Sequence, residues 1–469
     1  MPPSLQDLQG LHPQLFVPKQ FGSAKERRQW LKDGVFQEGS QKHAREKPKI
    51  PLMNGGMGVD ISCAEFILKM RELGLIGVWS AAVPGWKEIL EKSFKGMGPT
   101  ERQQFHVESD ERAIAAAADS FGEGGAWVNV MRKIGNYKKN VQALLKSDRF
   151  DVFIVGAGLA EDFPELMARP ENRDKYYIPI ISDPRVARIY HKAYVERRPG
   201  SRPPSAWYFE DARVAGGHLG TTKEGMSTAE ICDGIWKATP NIPIIMGGSR
   251  GYLDQIMEAY DQANGCALST RLALSKQSGF SRRLIKKVFL NPDFPVVIND
   301  RSPTGYPASG VDNGLPMLTL AQQRAALMEC ISCVKDDPMK PDDCHLLEGY
   351  RKTDARIRAM QKEDETNGQR AGWTHEDYYR FLVDTGDIEP NQNYCIQKEL
   401  LRTRNDKEME ARGEDEEGWD PHSYLAFSGK QLETIRHDAI FRDEQGKPRV
   451  PDLEEQVVFA LTHNAPQAA

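Results

Sequence analysis

The chain has 469 residues, of which 39% are hydrophobic and 28% charged, and a net charge of −5. It is long enough for a large core, and its charge gives no general attraction to nucleic acid or to an anionic membrane. No window approaches the ~18 uninterrupted apolar residues of a membrane helix, and the N-terminus lacks the pattern of a secretory signal. Seven unevenly spaced cysteines suit a reducing compartment. We therefore expect a cytoplasmic protein with a small-molecule substrate, and a homo-oligomer is compatible with the sequence.

Residues 1–48 are polar, contain several prolines and are locally basic, as in AKERRQWLKDG. We predict that they wrap the surface of the protein. From Lys49 the pattern changes to short apolar runs that end in Gly, Ser, Asp or Asn. In order, the runs are IPLMNGG near 50, LIGVWSAA near 75, AWVNVM near 126, DVFIVGAG near 151, YIPIISD near 177, SAWYFED near 205, IPIIMGG near 242 and CALST near 266. Continuous apolar runs predict strands that are buried on both faces.

Helical patterns lie between several of these runs. They include CAEFILKMREL, YKKNVQALLKS, RVARIYHKAYVER, TAEICDGIWKAT and YLDQIMEAYDQA. Alternation of strands and helices predicts βα units and a parallel sheet. Eight strand candidates over about 220 residues match an α/β fold of the (β/α)8 TIM-barrel type. A doubly wound open sheet is the alternative.

The barrel prediction divides the chain into three regions. These are an extension over 1–48, the barrel over 49–280, and a largely helical or irregular cap with a charged C-terminal part over 281–469. Residues 85–121 hold additional helical sequence within the barrel region. In the cap, FPVVIN (294–299) predicts one further strand, and TLAQQRAALMECISCVK predicts a helix.

In a parallel barrel the active site lies at the carboxyl ends of the strands, and here those ends are rich in glycine and poor in carboxylates. Glycine lets a ligand approach the backbone and leaves N–H groups free to face an anion. Barrels usually bind phosphate after the seventh and eighth strands. Gly247, Gly248, Ser269 and Thr270 occupy those positions, which predicts a phosphorylated cofactor over the barrel mouth.

The segment ARVAGGHLGTT (212–222) places one histidine among four glycines, directly after the sixth strand candidate. We therefore expect His218 to face the centre of the mouth. An imidazole there can give or take a proton near neutral pH. A structural histidine held by hydrogen bonds is the alternative interpretation.

One competing motif would give a different class of enzyme. GGSRG (247–251) matches G-x-S-x-G and would make Ser249 the nucleophile of a serine hydrolase, although that motif belongs to an open sheet. The sequence contains no P-loop and no H-E-x-x-H motif, and GAGLAEDF does not complete the dinucleotide-binding fingerprint.

Four late cysteines raise a separate hypothesis. Cys330, Cys333, Cys344 and Cys395 include one C-x-x-C spacing and could bind zinc or an iron–sulfur cluster. The first pair falls on the predicted helix of the cap. Ordinary buried cysteines are therefore the simpler interpretation.

Several of these motifs together resemble the nitronate monooxygenase (2-nitropropane dioxygenase-like) family of FMN-dependent barrels. The resemblance runs from Ile50 to Ser309, with a weaker echo at Tyr394-Cys395-Ile396. Its most specific signature is AGGHLG. The other matching segments are PLMNGGMGVDIS, VNVM, FIVGAGLAEDFPEL, IPIIMGGSRG, Ser269-Thr270-Arg271 and RSPTGYPASG.

The resemblance implies an FMN site and a catalytic acid/base, His218. The implied FMN-binding residues are Asn54, Gly55, Gly56, Met57, Asn129, Gly156, Gly217, Gly247, Gly248, Ser269 and Thr270. Asn54 and Ala267 stand where the family has glutamine, and Ser269 where it has glycine. Residues 85–121 and 330–469 are long additions that shape the substrate pocket.

By this resemblance we expect an oxidoreductase that oxidises a nitronate or similar carbanion, with O2 as acceptor. The alternative is an NAD(P)H-dependent enoyl-thioester or quinone reductase on the same barrel. For the enoyl-thioester reaction, the basic N-terminal stretch could dock an acyl carrier protein. A serine hydrolase and a non-catalytic FMN-binding module are further alternatives.

Overall fold

The computed structural model describes all residues except 1–2, 19, 39, 95, 221, 223, 329, 331–343, 415–418 and 467–469. The strands are β1 (Met53–Asn54), β2 (Val78–Ser80), β3 (Ala126–Met131), β4 (Phe150–Gly156), β5 (Tyr176–Ile181), β6 (Trp207–Glu210), β7 (Gly217–His218), β8 (Ile244–Gly247), β9 (Gly265–Leu268), β10 (Val296–Asn299) and β11 (Ala308–Val311).

The α-helices alternate with the strands as far as β9 and then dominate the chain. They are α1 (Leu5–Leu11), α2 (Ala24–Trp30), α3 (Ala64–Glu72), α4 (Trp86–Glu91), α5 (Pro99–Phe121), α6 (Tyr137–Lys146), α7 (Phe163–Ala168), α8 (Pro184–Tyr190), α9 (Thr228–Ala238), α10 (Leu253–Gln262), α11 (Thr270–Ala273), α12 (Arg282–Leu284), α13 (Leu320–Met328), α14 (His345–Asn367), α15 (His375–Asp384), α16 (Ile396–Ala411), α17 (Leu432–Ile435) and α18 (Leu453–Thr462). Within the described residues, no helix combines the length and the apolar character of a membrane span.

Eight strands form a parallel barrel in the order β1-β9-β8-β6-β5-β4-β3-β2. The seam between the first and last strands of this order is closed by a parallel bridge between Met53 and Ile76. Each of the eight apolar runs contributes one of these strands. The prediction of a TIM barrel is confirmed, and the open-sheet alternative is wrong.

Side chains of the barrel strands alternate between two buried environments. One set, which includes Val78, Ile154 and Tyr208, meets inside the barrel. The intervening set, such as Val128 and Phe209, packs outward against the helices. Because both faces of each strand are buried, the strands have continuous apolar sequences instead of alternating ones.

The ring of helices is completed by the C-terminal helix α18. Leu453, Val457, Ala460 and Leu461 of this helix are each at most 1% exposed, and α18 contacts α3, α10 and α11. The region 281–469 thus contributes both cap elements and one helix of the barrel wall. The three-part division of the chain stays a prediction.

The N-terminal extension lies against the amino ends of the strands. Leu52, at the start of β1, donates its backbone N–H to Leu15 O at 2.8 Å. Arg27 of α2 forms an ion pair with Asp151 at the start of β4 (2.5 Å), and Arg28 pairs with the same carboxylate at 3.0 Å. These ion pairs neutralise part of the basic stretch AKERRQWLKDG within the fold.

A small antiparallel sheet stands at the other end of the barrel. It has the order β10-β11-β7, and the segment FPVVIN forms β10 as predicted. The additional sequence in 85–121 forms α4 and the long helix α5. In the cap, α13 ends at Met328, so Cys330 lies beyond the helix that was expected to carry it.

Candidate active site at the barrel mouth

The carboxyl ends of the strands bring a ring of small and polar residues to the mouth of the barrel. Side chains two positions apart on a strand share a face. On each strand, the residue two positions after the interior side chain therefore also points inward, and it does so at the mouth. These residues are Gly55, Ser80, Asn129, Gly156, Ser182, Glu210, Gly247 and Ser269. Five of the predicted cofactor-binding residues belong to this ring.

The loops after β1, β3 and β9 approach one another closely. A methyl group on Gly55 would overlap Ser269 Oγ, and one on Gly56 would overlap the Asn129 side chain. The Asn129 amide donates to Ile154 O at 3.3 Å. Residues predicted from three separate motifs are therefore neighbours in space.

The mouth also has backbone groups and side-chain atoms that are ready to bind a ligand. Gly217 and Gly248 have φ angles of 73° and 88°, a conformation that favours glycine. A methyl group on Gly217 would meet no atom of the described residues within 4 Å. The Gly248 N–H donates to no group of the described chain, and the buried Ser80 Oγ has no hydrogen-bond partner there. These features fit a phosphorylated cofactor bound partly through the backbone.

Three other predicted residues are fixed by contacts within the chain. The Asn54 amide donates to Gly55 O and to Val78 O, both at 2.8 Å, and its oxygen accepts from Val78 N–H at 2.7 Å. Both amide hydrogens are used in the barrel seam, so this side chain has none left for a cofactor. Met57 N–H lies 3.4 Å from Ser62 Oγ, and Thr270 Oγ1 accepts from a cap backbone N–H, that of Gly429, at 3.2 Å.

His218 lies on β7, which the small sheet holds over the mouth. Its Nε2 is 2.6 Å from Ser302 Oγ. The ring of Phe427 lies against the imidazole edge-on, at 5.2 Å between centroids. Burial lowers the pKa of His218 to about 4, because desolvation disfavours the charged imidazolium. The imidazole is therefore neutral at physiological pH.

Ser302 connects His218 to two segments that the sequence resemblance had already named. Its Oγ is 2.8 Å from Thr304 Oγ1, and Tyr394 is hydrogen-bonded to the same side chain. The Asn393 amide donates to Ser302 O at 3.3 Å. The motifs RSPTGYPASG and Tyr394-Cys395-Ile396 thus meet behind the histidine, which no local pattern indicated.

Glu210 is the functional candidate that sequence reasoning missed. It ends β6 and lies opposite Gly247 in the parallel register, and its carboxyl makes no hydrogen bond within the described chain. Burial raises the pKa of this carboxyl to about 7. The sequence held a signal for it, since alternation along WYFE puts Glu210 on the same face as the interior Tyr208.

Ser249 lacks the surroundings of a hydrolase nucleophile. Its hydroxyl donates to the backbone oxygen of Val214 at 3.3 Å, and the strand before it belongs to a closed barrel instead of an open sheet. The strained φ of 48° at this residue serves the turn that follows Gly248.

The late cysteines are only partly described. Cys330 follows α13, Cys344 precedes α14 and Cys395 precedes α16, while Cys333 lies outside the described residues. Burial, and then the neighbouring thiols of Cys330 and Cys344, raise the pKa of Cys395 to about 12. Among the residues with described positions, no group of three or more His, Cys, Asp or Glu side chains could hold a metal ion. The metal site stays a prediction.

The sequence matches no protein-family profile and no curated protein. Solved structures similar to this chain include FabK from Thermotoga maritima, with 15% identity over 88% of this chain and 92% of that one and a TM-score of 0.47. A nitroalkane oxidase from Streptomyces ansochromogenes has 16% identity over 78% and 97%, with a TM-score of 0.44. The enoyl reductase domain of MlnA from Bacillus amyloliquefaciens has 13% identity over 88% and 93%, with a TM-score of 0.49. The barrel assignment itself comes from the strand pairing described above.

Proposed function

We propose that this protein is an FMN-dependent oxidoreductase that oxidises a nitronate or a similar carbanion, with O2 as acceptor. The observation that carries the proposal is a histidine held over the mouth by Ser302, beside small residues and beside the Gly248 N–H and the Ser80 hydroxyl, neither of which has a hydrogen-bond partner in the described chain. Bound FMN would supply the electron transfer, accepting an electron pair from the substrate and passing it to O2.

The residues that would hold FMN lie at the mouth, where Met57 N–H and Thr270 Oγ1 also have partners within the chain. The phosphate would be bound at Gly217, Gly247, Gly248, Ser269 and Thr270, where backbone N–H groups can face an anion. The ring system would lie against Gly55, Gly56, Met57, Asn129 and Gly156. Ser80 Oγ offers a further hydrogen bond. We leave Asn54 out of this set because its amide closes the barrel seam.

His218 would orient the substrate and move its proton. Ser302 engages Nε2, which leaves Nδ1 as the ring nitrogen available to a substrate. Because the ring is neutral above pH ~4, a ring nitrogen is free to accept a proton or a hydrogen bond across the physiological range, although the lowered pKa makes it a weaker base than an exposed histidine. Phe427 lies edge-on against the ring and contributes to its burial.

Glu210 favours the alternative, an NAD(P)H-dependent enoyl-thioester or quinone reductase. Reduction of a conjugated C=C or C=O bond needs a proton as well as a hydride. A carboxyl group with a pKa of about 7 is half protonated at neutral pH and can supply that proton. Docking of an acyl carrier protein by the basic N-terminal stretch gains no support, because Arg27 and Arg28 are paired with Asp151 at the opposite end of the barrel.

The first experiment is the visible absorption spectrum of the purified full chain after addition of FMN, without oxygen. We expect a two-band flavin spectrum that bleaches when a small nitronate is added. Bleaching by NAD(P)H but not by the nitronate would move the assignment to the reductase. A protein that does not retain FMN would contradict both.

The variant that tests the role of His218 is His218→Asn. It should keep the flavin spectrum and lower turnover roughly 100-fold or more, the usual effect of losing an acid/base group. His12→Asn, at a partly exposed histidine of the N-terminal extension at the opposite end of the barrel, should leave turnover unchanged. Equal turnover in the two variants would contradict the role of His218.

A further inference from the structure

A cavity separate from the mouth lies at the opposite end of the barrel. Its volume is about 550 Å³, within the range of small-molecule sites. The N-terminal extension forms one wall, and the segments that lead into β2 and β3 form the other. Aromatic side chains dominate the apolar part of the lining: Phe16, Phe21, Trp30 and Trp127.

Two guanidinium groups lie on the wall of this cavity, and only one is paired with a carboxylate. Arg27 forms the ion pair with Asp151, and its other nitrogens donate to backbone oxygens. Arg71 donates to Phe121 O at 2.6 Å. Across the described residues, no carboxylate lies within ion-pair distance of Arg71.

The carboxylate that lines the cavity does not neutralise Arg71. Glu72 is exposed and pairs with Lys69 at 2.6 Å. Burial, together with the charge of Arg27, lowers the pKa of Arg71, in keeping with a guanidinium that has no carboxylate partner among the described residues. Arg71 is half-buried, and an anion that reaches its guanidinium would form a charged hydrogen bond that is partly shielded from water.

The backbone makes room for this guanidinium. A methyl group on Gly124 would overlap Arg71 Nη2 and Cζ. Glycine at this position lets the planar cation lie directly against the chain at the start of β3. The cavity therefore combines a held positive charge with an aromatic wall.

We propose that this cavity binds a small amphiphilic monocarboxylate, whose carboxylate pairs with Arg71 and whose apolar body packs against Phe16, Trp30 and Trp127. One guanidinium without a carboxylate partner among the described residues, beside a wall of aromatic side chains, matches a ligand with one negative charge and a hydrocarbon or aryl body. The site is independent of the barrel mouth and of the function proposed for it.

The test is isothermal titration calorimetry of the FMN-saturated full chain with decanoate, and with decan-1-ol as the uncharged probe of equal chain length. We expect saturable binding of one decanoate per chain, with decanol at least 10-fold weaker. Arg71→Met should weaken decanoate binding at least 10-fold, as expected for the loss of a charged hydrogen bond. Arg112→Met, at an exposed arginine paired with Glu88, should bind like the wild type.

Gln20→Trp keeps the proposal testable if Arg71→Met fails to fold. Gln20 is an exposed residue of the lining, so a larger side chain fills the cavity from its rim without disturbing the core. It too should weaken decanoate binding at least 10-fold. Absence of saturable decanoate binding to the wild type, or wild-type affinity in a folded Arg71→Met or Gln20→Trp protein, would overturn the proposal.

Discussion

At the barrel mouth, burial shifts the pKa values of two titratable side chains in opposite directions. It lowers that of His218 to about 4 and raises that of Glu210 to about 7, because a desolvated group resists its charged form. Between these values both side chains are predominantly neutral. The mouth then holds a free base and a free acid together, an arrangement that suits proton transfer to and from a bound substrate.

Glu210→Gln separates the two proposed reactions. If the protonated carboxyl supplies the proton of a reductase, the rate with NAD(P)H should fall as pH rises through about 7, because deprotonation removes the donor. The rate of Glu210→Gln with NAD(P)H should show no such fall near pH 7, and at pH 6 it should be roughly 100-fold lower than that of the wild type. Nitronate oxidation should change little, since glutamine resembles the neutral acid. The measurement is the pH profile of kcat/KM for both reactions.

The matched control is Glu171→Gln at an exposed position away from the mouth. Its pH profile should match that of the wild type. If kcat/KM with NAD(P)H still falls near pH 7 in Glu210→Gln, a different group titrates there.

Among the elements, helix α16 of the cap holds the loop that follows β1. This loop contains two non-glycine residues with positive φ, Val59 at 50° and Asp60 at 58°, a conformation that costs energy. The Asp60 carboxylate accepts from Trp86 Nε1 at 3.1 Å and from Arg404 Nε at 3.3 Å. The Arg404 guanidinium also stacks on the Trp86 ring, 4.7 Å from its centroid. A cap element thus secures the loop that carries Gly55, Gly56 and Met57.

Arg404→Met should loosen this loop. Removing one partner of a mostly buried pair leaves Asp60 uncompensated, at a cost of about 3 kcal/mol. We expect a lower Tm and FMN affinity at least 10-fold weaker, measured by thermal unfolding and by quenching of FMN fluorescence.

Arg412→Met, near the end of the same helix, removes only an exposed pair with Glu414 and should change neither quantity appreciably. If Arg404→Met shows the same Tm and FMN affinity as this control, α16 does not support the loop.

At the scale of the whole molecule, the barrel depends on a helix that comes last in the chain. After β9 the chain builds the small sheet and the cap before α18 returns to the barrel wall. The buried face of α18 joins the same core cluster as the strands and α3. The cap and the barrel should therefore unfold together instead of as independent domains.

Leu461→Ala tests this dependence. Leu461 is 1% exposed, and truncating a buried leucine costs about 2–5 kcal/mol. We expect destabilisation of the complete protein in one transition, measured by urea unfolding followed by circular dichroism and by tryptophan fluorescence.

Glu454→Gln on the same helix alters only a surface ion pair with Lys69, at 3.3 Å, which is worth at most about 1 kcal/mol. Separate transitions for the two probes, or an effect of Leu461→Ala as small as that of Glu454→Gln, would contradict a shared barrel and cap core.

The sequence alone determined the barrel and the principal ring of its mouth. Apolar runs ending in glycine are local patterns, and once eight strands run parallel their carboxyl ends must meet. Gly55, Asn129, Gly247 and Ser269 could therefore be placed together from chain order, although their chemical role stays a proposal.

Contacts between segments that are distant in the chain are visible only in the folded protein. In the folded chain the Asn54 amide lies in the barrel seam, Ser302 lies behind His218, and α18 packs against the barrel. At the far end of the barrel, no carboxylate of the described residues lies within ion-pair distance of Arg71. Each of these outcomes depends on which atoms meet after the chain has folded, and no local periodicity carries that information.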